Sequence, residues 1–107
     1  MESLKFALRN KQVTVATAGT KVAVASSPLW GRGVALKAKA SNAGVVYVGD
    51  ATVSASAGFG LAAGEAIYLS DLLGTAEKAA AIDLSQVYCD AATNGDKVMV
   101  AYFDYLL

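Results

Sequence analysis

The chain has 107 residues, 55% of them apolar and 17% charged, with nine basic and nine acidic side chains, one cysteine and no histidine. That length suits one domain, residues 1–107, and the apolar share exceeds the usual ~45–50%, so part of this surface is expected to be buried against other chains. Zero net charge without a basic tract excludes a nucleic-acid footprint, the missing histidine excludes a Ser-His-Asp arrangement, the lone Cys89 excludes an internal disulfide, and no apolar run approaches the ~20 residues of a membrane helix.

Leu4, Phe6 and Leu8 alternate with Lys5, Ala7 and Arg9, which predicts a strand with one apolar face. No apolar h-region lies between Met1 and Asn10, so no secretory leader is expected. Val13 and Val15 continue the alternation. Gly19, within Thr17 to Thr20, predicts a turn joining Gln12–Ala16 to Lys21–Ala25 as a hairpin. Ser26 to Gly33, SSPLWGRG, reads as a loop holding the only proline and the only tryptophan. Val34, Leu36 and Ala38 then share one face of a strand, with Lys37 and Lys39 on the other. Val45 to Val48 is apolar on both faces and suits a covered, central strand.

Thr52 to Ser56 is compatible with a strand, whereas Gly58 to Gly64 is too glycine-rich for a regular element. Glu65 to Leu69 reads as a strand. Ser70 to Ala81 is rich in helix formers and predicts at most one or two helical turns. Ile82 to Cys89 is a strand, Asn94-Gly95 a turn, and Lys97 to Tyr105 a long last strand, apolar on both faces, that is either central or covered by a neighbouring subunit. Gly, Asp, Ser and Asn interrupt the apolar runs about every eight to twelve residues, the rhythm of all-β folds. The expected architecture is an antiparallel β-sandwich, jelly-roll or Ig-like, of about eight strands with at most one short helix.

Catalytic chemistry is sparse. GFGLAAG, Gly58 to Gly64, has G-x-G-x-x-x-G spacing and precedes a predicted strand. A dinucleotide fingerprint needs G-x-G-x-x-G where a strand meets a helix. Asp50, Asp71, Asp83, Asp90, Asp96 and Asp104 stand singly beside turns, without the D-x-D-x-D-G spacing of a calcium loop. Cys89 reads as a small buried hydrophobe. Trp30, beside Gly31 and Arg32, is the one aromatic that looks exposed. It suits an interface anchor or, with Tyr47 or Tyr68, a sugar-stacking platform. No catalytic residue, metal site or cofactor is expected.

VTVATAGTKVAVAS (Val13 to Ser26), GVALKAKASNAGVVYVGDATVSASAGFGLAAGEAIYL (Gly33 to Leu69) and IDLSQVYCDAATNGDKVMVAY (Ile82 to Tyr102) together resemble, in order, small structural proteins of tailed-bacteriophage virions. The PLWGRG loop, Ser70 to Ala81 and the tail FDYLL depart from that pattern. The resemblance implies a non-enzymatic β-sandwich component of the virion, made in the host cytoplasm. Its expected role is a capsid decoration or cement protein, with a tail, fibre or baseplate subunit and a glycan-binding module as alternatives. Expected partners are other copies of itself, in a trimer or similar ring, and other virion proteins such as the major capsid protein, without nucleic acid or membrane. Leu29, Trp30, Phe103, Tyr105, Leu106 and Leu107 are the expected interface residues.

Overall fold

The computed structural model describes residues 5–69 and 81–106, the last two through their backbone alone. Among these residues nine strands form: β1 (Lys5–Thr14), β2 (Val22–Ala23), β3 (Trp30–Ala38), β4 (Val46–Gly49), β5 (Phe59–Leu61), β6 (Ala66–Tyr68), β7 (Ile82–Asp83), β8 (Tyr88–Ala91) and β9 (Lys97–Leu106). The helical segment expected at Ser70 to Ala81 lies, but for Ala81, outside the described residues.

All pairing is antiparallel. The first sheet runs β1-β9-β3-β6, with β7 on the start of β3, and the second runs β2-β8-β4-β5. The partners nest around the turn between β4 and β5: β4 with β5, β3 with β6, β2 with β8, β1 with β9. This is one long antiparallel ribbon folded over itself into two sheets, which is the jelly roll. The chain therefore changes sheet at most of its turns. The turn at Thr17 to Thr20 does form, closed by the Thr20 N–H donating to the Thr17 carbonyl at 3.0 Å. It joins strands of different sheets, however, and the expected hairpin is absent.

Alternation builds the core. Val13, Val34, Leu36, Val98, Val100 and Tyr102 point inward from the first sheet, against Val46, Val48, Leu61, Cys89 and Ala91 of the second. Val15, Val24 and Leu84 fill the space from the connections. Two expectations about elements fail here. Gly58 to Gly64 contains β5, because Gly58 (φ 146°) brings the chain so near β4 that a Cβ would stand 2.6 Å from Val53 Cγ2 and 3.0 Å from the Val48 carbonyl oxygen. Ile82 to Cys89 is not one strand. Asp83 caps a 3-10 turn at Leu84–Gln86 by accepting from the Ser85 N–H, which splits the run and carries the chain from one sheet to the other.

Polar side chains tie one end of the sandwich. Asp96 accepts from the N–H groups of Ala43 (3.0 Å) and Gly44 (2.8 Å), and Asp90 from that of Gly19 (2.9 Å). Asn94 accepts from Ala18, and Asn42 exchanges bonds with the Lys97 backbone. Asp90 and Asp96 are buried, and each replaces the backbone partner that a sheet-crossing loop lacks.

Candidate interface on the outer face of the first sheet

The last strand is central. β9 is paired along one edge by β1 over its whole length and along the other by β3 from Val98 to Phe103, so up to Phe103 its backbone offers no free edge to a second chain. The edge strands are β1 and the short β6 instead, and β1 carries Lys5, Arg9 and Lys11 along it, the charged kind of edge that resists pairing. What remains open on β9 is its outward face.

Register defines that face. Phe6 and Leu8 on β1 stand opposite Tyr105 and Phe103 on β9, Arg32 on β3 stands on the other flank of Phe103, and Ala35 lies between Ala101 and Tyr68. A bulge between Arg32 and Ala35 keeps this arrangement. Gly33 occupies it with φ 57°, a left-handed conformation that costs glycine little, and the extra residue lets Gly31 and Val34 both point inward. Trp30 and Arg32 consequently face outward. Trp30 lies on β3 rather than in the expected loop.

Seven large hydrophobic side chains are exposed among the described residues, and six of them are on this one face: Phe6, Leu8, Trp30, Tyr68, Met99 and Phe103. Phe59 on β5 is the exception. Leu8 and Trp30 are the most open, at 65% and 60%. The guanidinium of Arg32 lies 6.0 Å above the Phe6 ring, at the outer limit of cation–π attraction. Open grooves of about 310 Å³, between Lys37, Tyr68 and Met99, and about 230 Å³, between Phe6, Arg32 and Phe103, run between these side chains.

Polarity is inverted where β1 and β9 extend past the core. Arg9 and Asp104, joined at 3.4 Å, lie on the side that continues the core-facing surface, and the aromatics lie on the outside.

The expected interface residues divide accordingly. Trp30 and Phe103 sit on the outer face. Leu29 is half-buried against the core, with its N–H donating to Asp83 Oδ1 and its carbonyl accepting from Leu84. Tyr105 and Leu106 continue β9 opposite Phe6 and Lys5, and Leu107 lies outside the described residues. Phe6, Leu8, Tyr68 and Met99 were not singled out as interface residues. The alternation in the first and last strands carried that signal for three of them.

The glycan platform does not assemble. Tyr47 is on the second sheet, and Tyr68 pairs at Ala35, about 16 Å along β3 from Trp30 at ~3.3 Å per residue, too far to stack on one ring together. No group of three His, Cys, Asp or Glu able to hold a metal forms among the described residues. No helix among them is long and apolar enough to cross a membrane. Burial pushes the Cys89 thiol up to about 12, which keeps it protonated and unreactive near neutrality. No protein-family model, curated protein or solved structure matches the chain.

Proposed function

We propose that the chain is a non-enzymatic structural subunit of a tailed-bacteriophage virion that docks onto the head shell as a decoration or cement protein. The observation that carries this reading is the gathering of six exposed large hydrophobics on one sheet face. A single-domain protein rarely leaves so continuous an apolar patch uncovered, and Trp, Tyr, Phe, Met and Arg are the residues enriched at protein interfaces. The ordered sequence resemblance supplies the virion context. The jelly roll agrees by analogy only, since it builds capsid and lectin domains alike. Docking buries this face, and association into a trimer or similar ring multiplies weak contacts across a lattice of sites.

Imaging purified particles by electron microscopy, with mass spectrometry of their proteins, tests the proposal. Density for a β-sandwich on the head supports it, and density on the tail or baseplate moves the subunit there. Trp30→Ala is expected to reduce incorporation into particles. A glycan array giving reproducible, Trp30-dependent binding while assembly stays intact would replace docking with sugar recognition.

A further inference from the structure

Among the described residues the charges on the outer face are one-sided. Its strands bring Arg32, Lys37 and Lys97 to the same side as the exposed aromatics, and Lys39, just past β3, reaches Gln12 on that side. Among the described residues two carboxylates stand at its margins, each with an oxygen already engaged. Asp83, opposite Trp30, accepts from the Leu29 and Ser85 N–H groups and the Ser85 hydroxyl through Oδ1. Glu65, just before β6, accepts from the Ala62 N–H through Oε1 at 2.7 Å. Lys39 donates to Gln12 and Lys97 to the Gly95 carbonyl, both within the chain. Arg32 and Lys37 flank the apolar strip with no carboxylate partner among the described residues.

A second copy seated by the same face would bring four cations against four, with only two part-engaged carboxylates at the margins to offset them. Burying them unpaired costs free energy, whereas carboxylates at the partner's rim would turn the same groups into attraction and register. We propose, building on the docking role above, that this face takes a different protein surface: an apolar centre flanked by carboxylates, with the head-shell protein as its bearer. Phe6, Leu8, Met99 and Phe103 cover the apolar centre, and Arg32 and Lys37 meet the carboxylates. Any ring of identical copies is then built through other surfaces.

The test uses the full chain and short soluble peptides that alternate Leu and Phe with Glu, Gln or Lys, followed by fluorescence anisotropy. The Glu peptide is expected to bind best, the Gln peptide about tenfold more weakly at low salt, and the Lys peptide least. Arg32→Glu with Lys37→Glu should invert that order, and Arg32→Gln with Lys37→Gln should flatten it without adding repulsion. Equal binding of the three peptides overturns the proposal. So does binding to phosphatidylglycerol vesicles that the charge-reversed variant loses, which would assign the face to lipid. A sedimentation experiment in which wild type and the charge-reversed variant pair more tightly than either does with itself would assign it to a second copy. Occurrence in virions is read separately. Peptide selectivity without the protein in particles leaves this surface standing and removes the virion reading. The protein in particles without selectivity does the opposite.

Discussion

Gly31 stands where a side chain has no room. A Cβ there would lie 2.8 Å from Tyr102 Cδ2 and 3.1 Å from its Cβ, so the aromatic ring packs directly on the β3 backbone. Gly31→Ala is expected to destabilise the fold by about 1–3 kcal/mol, the usual cost of overpacking, measured as a shifted urea midpoint. An unchanged midpoint would mean that the ring swings aside freely. Cys89 gives a second reading at this scale. Its folded-state value is raised from 9.0 to about 12 by burial. Between those values the unfolded chain releases a proton that the folded chain keeps, so stability falls as pH rises, by about 1.4 kcal/mol per unit from this group alone. Below pH 9 both states hold the proton and Cys89 adds no pH dependence. Cys89→Ala should therefore lose little more than the volume of the sulfur near neutrality and show a shallower alkaline decline. Parallel declines in the two proteins would place the thiol in contact with water.

Connections, rather than strands, are where this chain uses its polar residues. Asp96→Ala would strip the acceptor from two N–H groups in the turn before β4, at ~1–3 kcal/mol for each donor left without a partner, so a total loss of about 3 kcal/mol is expected. Asp96→Asn keeps one acceptor and should fall between, while a change below ~0.5 kcal/mol, ordinary for a surface site, would show that water replaces the carboxylate. The same residues explain what was legible in the sequence. Alternation in Val34–Ala38 and Lys97–Tyr105 marked strands correctly, because side-chain period follows from the pleat itself, whereas Val15 lies just past the end of β1. Gly19, Asn94-Gly95 and Gly49-Asp50 marked reversals of the chain. A turn residue does not report whether the returning strand joins the same sheet or the opposite one, and so the β1–β2 hairpin was misread. β5 was missed because Gly58 and Gly60 normally weaken a strand, and only the close approach to β4 makes them suitable. The Asp residues of DLSQVYCDAATNGD are capping and loop-tying groups here. The motif stretches quoted from the sequence thus include much of what folds the chain, while the exposed face lies largely on alternate residues of the first, third and last strands.

Across the whole molecule the two faces of the first sheet do different work. Its inner face holds the sandwich together, whereas the outer face leaves Leu8 and Trp30 largely exposed. If the outer face docks as proposed, this separation makes folding and docking independently mutable. Val100→Ala, on the inner face of β9, removes buried volume and should cost about 1–3 kcal/mol. Leu8→Ser with Phe103→Ser, on the outer face, should shift stability by about 1 kcal/mol or less, because Leu8 is largely in water and Phe103 is already 44% exposed. The outer pair should nevertheless abolish binding of the acidic amphipathic peptide and strip the protein from particles, while Val100→Ala leaves both intact at temperatures where it stays folded. Denaturant midpoints and particle incorporation, measured on the same three proteins, decide the matter. If the outer pair proves as damaging to folding as Val100→Ala, the aromatics belong to the packing of the chain itself, and the exposed face is not its docking surface.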